Sequence, residues 1–195
     1  MPLPQENRKY TYADYKQWPD EEKYEIIDGV PYMQAAPSWQ HQSISAELVT
    51  QFSNYLRNKS CKVFHAPFDL KMPNENENEN ESEDETTTVV QPDIVVICDK
   101  SGLKGTGYYG TPPLIIEILS PSTARRDKLY KLNKYELAGV KEYWMIEPDL
   151  KLVSVFKIQD NKKYSRPDMY TEEDTIEVSI FSDLIIDLKP VFDFI

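Results

Sequence analysis

Two carboxylates interrupt apolar stretches of the sequence where a charged side chain is costly. Residues 114–119 read LIIEIL, so Glu117 is the one charged residue in a run typical of a strand buried on both faces. Asp93 stands directly before IVVI and directly after Pro92. Because a buried carboxylate without a partner is strongly unfavourable, both acids predict a site that contains a cation or a network of hydrogen-bond donors.

Asp93 and Glu117 have the chemistry of a divalent-metal site if their strands pair. Like charges only a few ångströms apart cannot both stay ionised without a cation between them. Mg²⁺ is commonly held by one or two carboxylates together with water and a phosphate, and it can activate both for phosphodiester hydrolysis. We therefore expect Mg²⁺ (or Mn²⁺) on these two residues, with a lysine nearby to stabilise developing charge. The alternatives are two strand-end acids in water, or a buried ion pair with an arginine.

Hydrophobic periodicity predicts the elements that position these residues. A Ser120 N-cap and Pro121 predict a helix that runs from this point to Gly139. The glycine-rich connection at residues 101–113 is predicted to be a mobile loop. The other predicted elements are a short helix capped by Thr11, a hairpin turning at Asp28 and Gly29, an amphipathic helix over residues 38–59, strands within residues 61–73 and 88–100, and a hairpin within residues 142–158.

The charge is unevenly distributed along the chain. The formal net charge is −11, which argues against a nonspecific nucleic-acid binder. Seven acidic residues lie in the tract NENENENESEDE, which leaves −4 on the rest and predicts a solvated loop insertion at residues 74–88. The predicted helix that follows Glu117 is instead basic and predicts a positive patch, formed by Arg125, Arg126, Lys128, Lys131 and Lys134.

Length and composition predict one soluble domain. The 195 residues are sufficient for a single core, so we predict one domain over residues 1–195. Cys61 and Cys98 have no CxxC spacing and are predicted to be reduced and structural. With two histidines and two scattered cysteines, a structural zinc site is not expected. No small-molecule cofactor is expected either, and the glycine spacing in residues 101–113 does not match a dinucleotide or phosphate-loop fingerprint. No signal peptide or membrane span is recognisable, which predicts a cytoplasmic protein without a membrane partner.

The motifs around both acids resemble those of a nuclease family. PD at residues 92–93, Glu117 in the next apolar strand, and EILSPST with D...K...Y and GVKEYW behind it resemble the PD-(D/E)xK nuclease superfamily. With YEIIDG and His41-Gln42 upstream, residues 10–160 resemble the Uma-type restriction endonuclease family. The resemblance implies an α+β (α/β) restriction-endonuclease-like core with a central mixed sheet flanked by helices. It also implies a Mg²⁺-dependent endodeoxyribonuclease that acts on DNA, with a homodimer as the expected assembly.

One position departs from the superfamily pattern. Leu119 stands where a lysine is expected two residues after the glutamate. In the following helix Asp127, Lys131 and Tyr135 share one face, and the resemblance favours Lys131 over Lys128 and Lys134. The alternative for Lys131 is a solvated helix face paired with Asp127.

Further candidates and functions remain open at this stage. His41 and Glu25 are site-lining candidates, although a histidine at this position could equally cap the helix, and His65 is predicted to be structural or exposed. A catalytically inactive nuclease-fold module that binds nucleic acid or a protein is the alternative that Leu119 permits. A third hypothesis is a regulatory protein whose acidic loop mimics DNA or recruits a basic partner.

Overall fold

The computed structural model describes residues 8–19, 23–73, 82–121, 124–193 and 195. Residues 74–81 of the predicted acidic insertion lie outside the described residues. The strands are β1 (Tyr24–Ile27), β2 (Val30–Met33), β3 (Lys62–His65), β4 (Asp69–Met72), β5 (Thr88–Val90), β6 (Ile94–Ile97), β7 (Leu103–Lys104), β8 (Gly107–Tyr109), β9 (Leu114–Ile118), β10 (Glu142–Glu147), β11 (Leu152–Lys157), β12 (Asp168–Thr171), β13 (Thr175–Glu177) and β14 (Ile185–Asp187). The α-helices are α1 (Tyr12–Tyr15), α2 (Trp39–Leu56), α3 (Ala124–Arg126), α4 (Leu132–Ala138) and α5 (Lys189–Phe192).

Two six-stranded sheets form the architecture. The main sheet has the order β12-β11-β10-β9-β6-β3, and the second sheet has the order β2-β1-β5-β4-β8-β7. The main sheet is mixed, because β9 and β10 are parallel while its other neighbours are antiparallel. The predicted α+β class with a mixed sheet and flanking helices is confirmed, and the second sheet is an addition to that prediction.

Prolines move the chain from one sheet to the other. The predicted strand segments 61–73 and 88–100, on either side of the acidic tract, pair with each other, since β4 lies antiparallel to β5 and β3 antiparallel to β6. Each segment is nevertheless broken in two, at Ala66-Pro67 and at Gln91-Pro92. Proline has no N–H to donate to a strand ladder, so the ladder stops at this point. Asp93 consequently lies where the chain crosses from the second sheet into the main sheet.

The two faces of the main sheet bury different partners. Helix α2 packs one face through its buried stripe of Ile44, Leu48, Phe52 and Leu56. The second sheet and the helical residues 124–138 cover the other face. Side chains alternate along β9, so Ile116 points toward α2 while Ile115 points toward the second sheet. By the same alternation Glu117 faces the space between the two sheets.

The helix after β9 begins later than predicted. Pro121 is not helical, and the first helical residue that the structure describes is Ala124, whose N–H donates to the Ser120 carbonyl at 2.9 Å. It continues as a π-helix over Asp127–Lys131 and then as α4. Gly139 ends it in the left-handed conformation with φ 80°, as predicted. We call residues 124–138 the site helix.

Three further sequence predictions are corrected or refined. The glycine-rich connection contains the β7–β8 hairpin rather than only a loop. The described end of the acidic tract forms a 3₁₀ turn over Glu83–Glu85, with Glu83 bonded to the fully buried Lys71 at 2.6 Å. Cys61 and Cys98 form a disulfide at the ends of paired β3 and β6, so the prediction of reduced thiols is wrong.

None of the helices among the described residues combines the length and the apolar character needed to cross a lipid bilayer.

Replacing Leu48 by alanine should destabilise the protein strongly. Its side chain is fully buried between α2 and the main sheet, so the expected loss in the free energy of unfolding is about 3 kcal/mol. Leu137→Ala is the matched control, because Leu137 is 46% exposed, and its effect should stay within about 0.5 kcal/mol. Urea denaturation of both variants measures the difference, and equal losses would contradict this core.

Candidate functional site

The two acids predicted to bind metal lie at the same end of the β6–β9 pair. The antiparallel register ends with Ile94 opposite Ile116, and its continuation by one residue brings Asp93, directly before β6, across from Glu117 on the same face of the sheet. The Ile118 N–H donates to Asp93 Oδ2 at 2.7 Å and fixes that carboxylate against β9. The sequence-based expectation that these strands pair is therefore confirmed.

Lys131 lies at the centre of the site rather than on a solvated helix face. Its Nζ is 2.8 Å from Glu117 Oε1, 2.7 Å from Glu25 Oε1 and 3.4 Å from Asp127 Oδ1. The Tyr135 hydroxyl donates to the same Glu117 oxygen at 2.8 Å. The predicted face of Asp127, Lys131 and Tyr135 thus forms one buried cluster with Glu117.

The helix geometry explains how a charged stripe turns inward. The Leu132 N–H bonds to the Asp127 carbonyl, five residues back, in a π-turn that ends at Lys131. Such π-bulges are rare and occur frequently at functional sites. The polarity of this helix is inverted, because Asp127 and Lys131 are buried while Leu129 and Tyr130 are exposed. The inward orientation of Lys131 is stabilised by Glu25 and Glu117, the carboxylates of the two sheets, and not by hydrophobic burial.

Glu25 extends the cluster into the second sheet. Its side chain is fully buried on β1, and its Oε1 accepts a hydrogen bond from the Gln91 N–H at 2.8 Å. Its Oε2 lies 3.4 Å from Arg126 Nε. Gln91 immediately precedes Pro92 and Asp93, so the segment that carries the first acid is tied to Glu25 as well.

His41 lies at the open side of the site. Its backbone N–H donates to the Ser38 hydroxyl in the first turn of α2, and its Nε2 is 2.9 Å from Asp93 Oδ1. The side chains of His41 and Asp93 are 15% and 17% exposed, whereas those of Lys131 and Glu117 are 3% and 4% exposed. The site therefore opens at the His41–Asp93 pair and closes toward Lys131.

The electrostatics of the cluster are dominated by burial. Burial raises the pKa of Glu117 well above its usual value, and the neighbouring carboxylates of Asp127, Asp93 and Glu25 raise it further against the opposing effect of Lys131. Burial by itself would lower the pKa of Lys131, but its carboxylate neighbours, led by Glu117, outweigh burial and raise it. Four carboxylates share this region with two fixed cations, Lys131 and Arg126.

The donor set fits a divalent cation that retains water ligands. Among the described residues no three His, Cys, Asp or Glu side chains come together as a closed metal site. Asp93 and Glu117 supply two carboxylates, which is the usual protein contribution to a Mg²⁺ site. Among the described residues the cluster has four carboxylates and two fixed cations, and this excess of acidic groups favours an added cation. A Mg²⁺ ion is therefore compatible with these residues.

The basic patch predicted on the site helix is mostly paired with carboxylates of the protein. Arg126 pairs with Glu25, Lys128 with Glu147 at 2.7 Å, and Lys134 with Asp28 at 2.6 Å, while Lys131 is buried. Arg125 and Lys128 remain exposed. The prediction of an open positive surface on this helix is therefore wrong for Arg126 and Lys131, which face buried carboxylates, and Lys128 and Lys134 are paired with partly exposed acids.

Two residues of the site were not anticipated from the sequence. The sequence predicts Arg126 in a surface patch and gives no signal for Gln91, yet both contact Glu25. Both contacts could be predicted only if Glu25 were known to be buried, and its burial depends on the packing of the second sheet. Leu119 is buried in the apolar cluster between the sheets, which explains why a leucine is compatible with this position.

The sequence profile of the Uma2 family, described as "Putative restriction endonuclease", matches residues 12–189. The chain belongs to the Uma2 family. An uncharacterized protein of Synechocystis sp. (strain ATCC 27184 / PCC 6803 / Kazusa) is 31% identical over 129 residues, which cover 65% of this chain and 62% of that protein. The match thus spans less than two thirds of the relative's length.

A solved structure has the same fold as this Uma2 chain. It is the crystal structure of a "putative nuclease belonging to DUF820" from Anabaena variabilis ATCC 29413, with a TM-score of 0.73 and 20% sequence identity. The superposition covers 94% of this chain and 97% of that one. The predicted restriction-endonuclease-like fold and the family resemblance are both confirmed.

Removing the charge of Lys131 should destabilise this Uma2 protein in the absence of ligands. Lys131→Met leaves Glu25 and Glu117 buried without their shared cation, and losing one partner of a buried pair costs about 3–5 kcal/mol. Lys128→Met is the matched control on the same helix, because Lys128 is 42% exposed and pairs with Glu147. This substitution should lower the free energy of unfolding by less than about 1 kcal/mol. Chemical denaturation without divalent ions measures both, and similar losses would contradict the buried cluster.

The pH dependence of stability should change in Glu117→Gln. A carboxyl group whose pKa is raised by folding stabilises the protein fully below its unfolded pKa of about 4.3, and this contribution is lost as the pH rises through the folded value. Wild type should therefore lose stability relative to Glu117→Gln between acidic and neutral pH.

Denaturation curves of both proteins from acidic to neutral pH, without divalent ions, measure this difference. Glu147→Gln, a half-buried acid of the same type, is the control and should follow wild type. Parallel curves for wild type and Glu117→Gln would show that the environment of Glu117 does not raise its pKa.

Proposed function

We propose that this protein is an endonuclease that hydrolyses phosphodiester bonds of DNA with Mg²⁺ or Mn²⁺. The observation that carries the proposal is the opposed pair of Asp93 and Glu117, with the Lys131 ammonium group 2.8 Å from Glu117. Membership of the Uma2 family and the nuclease-like fold support the same reaction class. The proposed metal ligands are Asp93 and Glu117, and the proposed catalytic residues are these two and Lys131.

Each residue has a separate part in the proposed reaction. When bound, a divalent cation would polarise the scissile phosphate and lower the pKa of nearby water. Asp93, at the open side, and Glu117, behind it, would hold that cation between the two strands. The Lys131 ammonium would donate a hydrogen bond toward the attacking water or the phosphate and offset charge that develops there.

The remaining candidates act on these groups rather than on the substrate bond. Glu25 and Asp127 hold the Lys131 ammonium in place, and Tyr135 orients the Glu117 carboxylate through its hydroxyl. His41 lies against Asp93 at the opening. We propose that His41 lines the substrate path, where it would contact a phosphate or sugar at the exposed side of Asp93.

The competing function is a nuclease-fold module that binds without cleaving. Two observations favour it, namely a Lys131 that already contacts three carboxylates and a Leu119 that replaces the strand lysine.

The proposed setting is one domain over the whole chain that acts as a homodimer in the cytoplasm. The Cys61–Cys98 disulfide opposes that location, since cytosolic thiols are generally reduced.

Plasmid nicking in Mg²⁺ or Mn²⁺ tests the proposed activity. Asp93→Ala, Glu117→Gln and Lys131→Met should each reduce the nicking rate at least about 100-fold, because each removes a metal ligand or the charge that stabilises the transition state. EDTA should abolish the wild-type rate. Asp99→Asn is the matched control, because Asp99 is an exposed acid just beyond the other end of β6 and should leave the rate unchanged.

A second measurement separates the competing functions. Mg²⁺ should raise the melting temperature of wild type and of Asp99→Asn, but not that of Asp93→Ala, because ligands that bind only the folded state stabilise it. A metal-dependent shift together with no nicking of any DNA would favour the inactive module. Equal nicking by wild type and the three site variants would point to a contaminating enzyme.

A further inference from the structure

A cluster of aromatic and guanidinium groups adjoins Glu25 and has no part in the proposed hydrolysis. A second stripe of the site helix, formed by Arg126, Tyr130 and Lys134, faces the β1–β2 hairpin. The Tyr32 ring centroid is 6.1 Å from that of Tyr130 and 5.7 Å from the guanidinium carbon of Arg126. We call Tyr32, Tyr130 and Arg126 the aromatic shelf.

The shelf is continuous with the site. Tyr32 is the cross-strand partner of Glu25, and Glu25 contacts both Arg126 and Lys131. Asp28 in the hairpin turn pairs with Lys134, which lies about two helical turns after Arg126. Strand β2 therefore runs from the level of Lys134 back toward Arg126. The shelf and the Lys131 cluster therefore share Glu25, and the shelf adjoins the site on the side of the second sheet.

The charges near the shelf do not favour binding of a nucleic acid through its phosphates, and they disfavour duplex DNA more than a single strand because duplex phosphates are more closely spaced. Duplex affinity comes largely from lysine and arginine side chains that displace counterions. Four of the five cations of the site helix instead face carboxylates of the protein, and the whole chain carries a net charge of −11. The exposed surface of this helix is in part aromatic, with Tyr130 41% exposed.

We propose that the aromatic shelf stacks an unpaired nucleobase next to the phosphate that is cut, so that the substrate class is DNA with single-stranded character. Aromatic rings and arginine planes bind the faces of any base, but only where the base is not already stacked within a duplex. This inference rests on the proposed function for the choice of DNA over RNA and for the cleavage reaction. The shelf itself requires only an accessible base.

Binding measured without catalysis tests the shelf. Fluorescence anisotropy in EDTA compares a short labelled single strand with the same sequence as a duplex, using the full chain. The single strand should bind more tightly, and Tyr130→Ala should weaken that binding about ten-fold, because stacking on an aromatic ring is lost. Tyr130→Phe keeps the ring and should retain the affinity. Leu137→Ala, an exposed apolar residue farther along the same helix, should match wild type.

The outcomes separate this inference from the proposed function. Because EDTA removes metal-dependent cleavage, the binding result stands whether or not the protein is a nuclease. Duplex binding that equals or exceeds single-strand binding, or equal affinity of Tyr130→Ala and Leu137→Ala, would overturn the shelf even if nicking is observed. Single-stranded RNA that binds more tightly than DNA, with the same dependence on Tyr130, would support the shelf and overturn DNA as the substrate.

Discussion

The structure around the site depends on one buried ammonium group. Lys131 contacts carboxylates from three separate elements, namely Glu25 on the second sheet, Glu117 on the main sheet and Asp127 on its own helix. Removing that many charges from water is costly, and hydrophobic side chains would fill the same space at less cost. A cluster of this kind is more readily explained by chemistry than by stability, which agrees with the family to which the chain belongs.

The position of the acids follows from how the chain changes sheets. Pro92 ends β5 pairing and directs Asp93 to the junction, where the register with β9 sets it opposite Glu117. Because Leu119 is packed between the sheets, the ammonium group reaches Glu117 from the site helix instead of from the strand. The π-turn lies on the inward face of the helix, where Asp127 and Lys131 are buried.

The same arrangement has a consequence for the outer surface of the protein. Cations of this helix that pair with carboxylates of the protein are less available to bind a phosphate backbone, and Arg126 and Lys131 face buried carboxylates. Its outward residues are then free to be apolar or aromatic, and Leu129, Tyr130 and Leu137 are exposed on it. The acidic tract is likewise anchored at its described end, where Glu83 contacts Lys71 inside the second sheet.

Local patterns in the sequence were sufficient to predict the acidic residues that interrupt apolar runs and the elements with strong hydrophobic periodicity. Asp93, Glu117, the stripe of α2 and the Asp28-Gly29 turn could be predicted because each depends on neighbours within a few residues. Glu25 as a buried partner, Arg126 as its ion pair, the second sheet and the Cys61–Cys98 disulfide could not be predicted in this way. Those features depend on contacts between segments far apart in the chain, and ion pairing and burial are decided only when the sheets have packed against each other.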